Sequence, residues 1–187
     1  MGKNKKSEIV YNSVELDSNE ELQFYYWLEE AKLNGLVEDF KYQPESYVLS
    51  EKVSFIKQVQ KGKKVVDKEV TLLNGHIYSP DFNITFTDKF YDLYKKYTWD
   101  KLFKLIDEIK CIICDIKGGF SRNGGDRSFS INQKWMYQKH GIYIVKIVPQ
   151  DLFKLTWCPE LAKLTPKKKQ IVEKYKDCKS ITQILEG

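Results

Sequence analysis

Cys111-Ile112-Ile113-Cys114-Asp115-Ile116-Lys117-Gly118-Gly119 begins with four apolar or weakly polar residues and ends in a carboxylate, an ammonium and two glycines. A short continuous apolar run that ends in charge reads as a buried strand. On a strand, residues i and i+2 share a face, so Asp115 and Lys117 project together while Ile116 faces the other way. The Ile116 carbonyl is then also available as a metal ligand, and Gly118-Gly119 lets backbone or substrate approach closely. An ion pair at a strand end is the simpler alternative. Acidic-x-Lys triplets also occur at Glu30-Ala31-Lys32, Asp39-Phe40-Lys41, Glu108-Ile109-Lys110 and Asp177-Cys178-Lys179. What separates Asp115 from these is its place at the end of a buried run, where a charged pair is costly without a purpose.

Working outward toward the N-terminus, Phe90, Leu93, Tyr94, Tyr97, Leu102, Phe103, Leu105 and Ile106 recur at helical spacing, which predicts one or two helices over 88–109. Before them, residues 77–86 read as a strand interrupted near its start by Pro80, as is tolerated at an edge or bulge. Residues 38–57 read as one or two strands, and Lys61-Gly62-Lys63-Lys64 as a hairpin tip or exposed loop. Ser18 followed three residues later by Glu21 is a capping-box spacing, which opens a helix that runs to about Asn34-Gly35. Toward the C-terminus, the glycine-rich stretch through Asp126 is a loop, a helix is expected from about Ser130 to His140, and residues 142–148 form a strand closed by Pro149. A basic helix is expected around 165–177. This order predicts an α/β fold with a central mixed β-sheet flanked by helices.

At 187 residues the chain suits one domain, and its 42% hydrophobic and 14% aromatic content suits a folded one. The divisions expected are a basic N-terminal extension (1–16), the main domain (17–160, with a helical insertion at about 88–109) and a basic helical tail (161–187). No stretch has the roughly 18–20 apolar residues of a membrane span. The charged start Met1-Gly2-Lys3-Asn4-Lys5-Lys6-Ser7 is not a signal peptide, so an intracellular protein without a membrane partner is expected. Cys111 and Cys114 have a zinc-like gap, but on a strand they point to opposite faces, and reduced thiols are expected. From Lys163 to Lys179, seven lysines stand against Glu173 and Asp177, a surplus equal to the +5 of the whole chain. A solvated helix face and a phosphate-contacting patch both account for it.

The second acidic centre is Tyr78-Ser79-Pro80-Asp81-Phe82, some thirty residues before Asp115. Together, a Pro-Asp strand, a later Asp-x-Lys strand and an earlier glutamate-bearing helix resemble the PD-(D/E)xK nuclease superfamily over roughly Ser18 to Pro149. Within it the chain is similar to small phage endonucleases of the endonuclease I type, which cleave branched DNA. Ser18-Asn19-Glu20-Glu21, Asp115-Ile116-Lys117-Gly118, the helix with Lys134-Trp135-Met136-Tyr137 and the strand Gly141-Ile142-Tyr143-Ile144-Val145 also carry the likeness.

The resemblance implies a restriction-endonuclease-like core and metal-dependent hydrolysis of DNA phosphodiesters, with Holliday junctions or other branched DNA as substrate. It implies that Asp81 and Asp115, with the Ile116 carbonyl, bind Mg²⁺ (or Mn²⁺ in its place), and that Glu21 binds or orients a second metal. Lys117 would position the attacking water and offset phosphate charge. Glu20 competes with Glu21 for the helix position. Lys134, Arg122, Arg127 and the tail lysines Lys167, Lys168 and Lys169 are the expected DNA contacts. A homodimer is expected for paired cuts, and the cytoplasm of a bacterial host if a phage encodes the chain. A sequence-specific restriction or homing endonuclease and a non-catalytic DNA-binding protein are the rival readings. The helix residues Trp27 and Trp135 are expected in the core.

Overall fold

The computed structural model describes residues 9–103, 110–118, 125–164 and 170–187. A small hairpin, β1 (Ile9–Tyr11) and β2 (Val14–Leu16), precedes helix α1 (Asn19–Leu33). Strands β3 (Val37–Tyr42), β4 (Tyr47–Ser50), β5 (Val53–Lys61), β6 (Lys64–Leu73), β7 (His76–Tyr78) and β8 (Phe82–Phe86) follow. Next come α2 (Asp88–Tyr97), α3 (Asp100–Phe103), β9 (Cys111–Ile116), α4 (Gly125–His140), β10 (Ile144–Ile147), α5 (Pro149–Leu155), α6 (Glu160–Lys163), a 3-10 turn (Glu173–Tyr175) and α7 (Ile181–Glu186).

The central sheet has the order β10-β9-β8-β3. β9 pairs parallel with β10 and antiparallel with β8, and β8 pairs antiparallel with β3. The fold is thus mixed α/β with a mixed sheet flanked by helices. Alternation along the strands divides the core in two. Ile112, Cys114 and Ile116 of β9 join Phe82, Ile84 and Phe86 of β8 in the main cluster, which α1 covers with Phe24, Trp27, Leu28 and Ala31. Ile113 packs instead against a smaller cluster of Leu49, Tyr78, Phe129, Met136 and Ile144. Asp115 and Lys117 have the parity of Ile113, which places them on the side of α4.

Spacing explains α1: Glu21, Phe24, Trp27, Leu28 and Ala31 are its buried residues and recur every three or four positions. Trp27 is fully buried, stacks on Trp157 with centroids 4.5 Å apart, and donates its indole N–H to Thr156 Oγ1 at 3.1 Å. Thr156 passes its own hydroxyl to Leu152 O at 2.8 Å, so the Trp27 indole N–H and the Thr156 hydroxyl are both paired inside this aromatic core.

Several expectations are corrected. α4 starts at Gly125 rather than near Ser130. Of the helix expected around 165–177, residues 165–169 lie outside the described residues; among the rest, Ile171 bridges to Leu164 and only Glu173–Tyr175 makes a short 3-10 turn. Tyr175 is fully buried against Phe153, and Ile181 and Ile184 join the main core, so this segment docks on the domain. Trp135 is 39% exposed, beside the His76 ring rather than in the core. The insertion contains two helices, α2 and α3, while 104–109 lie outside the described residues. The cysteines are unbridged, with Cys111 exposed and Cys114 buried. Among the described residues no helix is long and apolar enough to cross a membrane.

Candidate active site

Pro80 lacks the N–H that a strand ladder needs, so the chain breaks between β7 and β8 and restarts at Phe82. Asp81 sits in that break. Its N–H donates to Cys114 O at 3.1 Å, and its carbonyl accepts from Gln43 N–H at 2.8 Å. The antiparallel register sets Phe82 opposite Cys114, which brings Asp81 beside Asp115 at the carboxyl end of β9. Asp81 Oδ2 accepts the Ile116 N–H at 2.6 Å. In a strand the N–H and C=O of one residue point the same way, so the Ile116 carbonyl is turned to the Asp81 side.

Asp115 is buried, at 4% exposure. Its Oδ2 pairs with Lys117 Nζ at 2.7 Å, and the Lys117 backbone N–H continues the parallel ladder to Ile147 O at 2.9 Å. The Lys117 ammonium also lies 6.0 Å from the centroid of Phe129 on the first turns of α4. Burial first, and then the Asp115 charge, push the Asp81 carboxyl up to about 7. The Ile116 N–H and Lys117 oppose the rise and Glu21 adds to it. Two carboxylates sharing a partly dry site repel unless a proton or cation intervenes.

Glu21 enters from the N-terminus of α1. Ser18 caps the helix by accepting from Glu21 N–H at 3.2 Å, while the Glu21 carboxylate accepts from Ser18 Oγ (2.7 Å), Asp17 N–H (3.0 Å) and Tyr42 Oη (2.7 Å). The cap therefore fixes this buried carboxylate and orients it, and its charge reaches Asp81. Glu20 is also at the site's edge: a Cβ on Gly118 would meet Glu20 Oε1 at 3.4 Å. The glycine allows that carboxylate to rest against the backbone that follows Lys117.

The structure thus brings Glu21, Asp81, Asp115 and Lys117 to one end of the central sheet. It does not turn Lys134 inward: that residue is exposed on the side of α4 away from Phe129 and Met136. Arg127 is exposed in the first turn of α4, two residues before Phe129. Arg122, Lys167, Lys168 and Lys169 lie outside the described residues. Two tyrosines join the site that sequence reasoning did not single out. Tyr42 holds Glu21 from β3. The Tyr78 hydroxyl is buried beside Asp115, and burial, followed by the charge and hydrogen bonding of Asp115, raises its phenol. Tyr78 stands inside the Tyr-Ser-Pro-Asp-Phe motif, but strand parity cannot be counted across Pro80.

The donor set fits a hard divalent cation. Mg²⁺ prefers oxygen, keeps several waters, and is commonly held by one or two carboxylates. Asp81 and Asp115 supply two carboxylates, and the buried Tyr78 hydroxyl lies beside Asp115. Among the described residues no three His, Cys, Asp or Glu side chains converge as a ready-made cluster. No protein-family model matches the chain, and no curated protein or solved structure matches it.

Proposed function

We propose that the chain is a divalent-cation-dependent endodeoxyribonuclease of PD-(D/E)xK type, built on a restriction-endonuclease-like core. One observation carries this reading. Two acidic side chains, Asp81 just before β8 and Asp115 on the adjacent antiparallel β9, share a partly buried site, with Lys117 paired to Asp115 and the Asp81 carboxyl raised by burial and by its neighbour. A structural ion pair at a strand end would need only Asp115 and Lys117. The second carboxylate is a cost that a cation or a proton must offset, and a bound cation would offset it in the ionised form.

Asp81 and Asp115, with the Ile116 carbonyl, would hold Mg²⁺ or Mn²⁺. When bound, the ion supplies Lewis-acid neutralisation of phosphate charge. The Ile116 N–H fixes Asp81 Oδ2 and leaves the other oxygen available. Lys117 Nζ, now paired with Asp115, would donate to an attacking water and to the phosphate oxygens as charge develops. Glu21, immobilised by its cap, orients the acidic side of the site. No protein nucleophile is needed, since water displaces the leaving oxygen directly.

Branched DNA is the proposed substrate and a homodimer the proposed assembly; both rest on the likeness to phage endonucleases. The test compares a four-way junction, matched linear duplex and single strand, each in Mg²⁺ and in EDTA. Metal-dependent cutting of the junction is expected. Sequence-dependent cutting of linear duplex would replace the branched-DNA reading with a restriction or homing role. Binding without cutting in Mg²⁺ or Mn²⁺ would overturn the enzyme reading.

A further inference from the structure

β5 and β6 form a ribbon of nine and ten residues that is hydrogen-bonded to itself and exposed along nearly its whole length. An exposed two-stranded ribbon is only marginally stable and contributes little to a core, so core packing does not account for it. Its register sorts the side chains by charge. Phe55 faces Val70, Lys57 faces Lys68, Val59 faces Val66 and Lys61 faces Lys64, all on one side. The opposite side pairs Ile56 with Glu69, Gln58 with Asp67 and Gln60 with Val65.

The first face therefore alternates apolar rungs with lysine pairs and contains no acid. Both carboxylates of the ribbon lie on the other face, where Glu69 accepts from Ser54 Oγ. Like charges directly opposite each other destabilise an antiparallel pair. Here this happens twice, and none of the four lysines has an ion-pair or hydrogen-bond partner among the described residues. An arrangement unfavourable in isolation becomes favourable on a polyanion. The lysine rungs are four residues apart, roughly 13 Å at strand rise. That spacing is close to the width of the DNA major groove, about 12 Å, so a ribbon lying across the groove would set one lysine rung at each border.

We propose that the β5–β6 ribbon is an arm whose lysine face grips duplex DNA. Lys57/Lys68 and Lys61/Lys64 contact the phosphates that border the major groove, and Val59 and Val66 face the groove between them. The choice of DNA rests on the nuclease reading, and the arm's contact is separate from the chemistry at Asp115.

The test is fluorescence anisotropy of a labelled linear duplex in EDTA over a salt series, with the full chain. Three proteins are compared: wild type, a variant with Lys57, Lys61, Lys64 and Lys68 all changed to Gln, and a control with Asp67→Asn and Glu69→Gln. The lysine variant should bind at least about tenfold more weakly and lose about 3 to 4 from the log–log salt slope, while the control does not weaken. An unchanged melting temperature would show that the body of the protein is intact. Equal affinity and salt slope in wild type and lysine variant would overturn the proposal. So would sedimentation showing that the lysines hold two copies of the chain together, or no duplex binding by wild type. Ribbon-dependent binding without any cutting in Mg²⁺ would remove the nuclease reading and leave the arm. Cutting in Mg²⁺ with ribbon-independent binding would remove the arm alone.

Discussion

Asp81 shows how one side chain is set by its surroundings. Its carboxyl is raised to about 7 by burial and by Asp115, against an unfolded value of about 3.9. Between those values the folded protein holds a proton that the unfolded chain has released, so stability in EDTA falls as pH rises through that window. Asp81→Asn should abolish that slope and raise stability at pH 8 by roughly 1–3 kcal/mol, as read by urea denaturation. Parallel pH profiles for wild type and variant would refute the assignment. Asp115 and Lys117 were legible in the sequence because i,i+2 parity holds along an unbroken strand. Tyr78 was not, because Pro80 breaks the parity between it and Asp81, and its approach to Asp115 depends on register. Glu21 was legible through its Ser-x-x-Glu spacing, but the Tyr42 hydroxyl that holds it comes from a strand twenty-one residues away.

Among the elements, α1 does two jobs. Its Phe24, Trp27 and Leu28 stripe packs on the sheet while its first turn delivers Glu21. The two are coupled through Ser18, which caps the helix and hydrogen-bonds the Glu21 carboxylate. Ser18→Ala should therefore cost about 1 kcal/mol and also slow DNA cleavage, whereas a pure cap would affect stability alone. Denaturant titration beside a cleavage rate separates the two, and a normal rate in the variant would make Ser18 only a cap. The helix start was readable because a cap leaves a local sequence signature. The start of α4 was not: it begins at Gly125, within the glycine-rich stretch that local propensity assigns to a loop. Tertiary contact of Phe129 with the smaller core outweighs that propensity.

The whole molecule is a mixed sheet with a core on each face, and the candidate site lies where the C-terminal end of β9, the break before β8 and the cap of α1 converge. The alternation of strands and helices made that architecture legible. The C-terminal segment was misread because its lysines dominate the composition, while its docking depends on a few apolar residues. Tyr175, Ile181 and Ile184 enter the main core, and the Tyr97 hydroxyl donates to Ile184 O at 3.0 Å. Tyr175→Ala should cost about 3–5 kcal/mol, comparable with other buried aromatics, and a change below 1 kcal/mol would mean the segment is a detachable tail. The ribbon is the opposite case, since substitutions of its lysine face should weaken binding and leave the stability of the body alone.

The most direct measurement is the single-turnover rate of four-way-junction cleavage in Mg²⁺ by wild type, Asp115→Asn and Lys117→Ala, with junction affinity measured in EDTA alongside. The account predicts that both variants bind normally and cut at least about a hundredfold more slowly. Cutting by either variant at the wild-type rate, or wild-type cutting that survives EDTA, would contradict it.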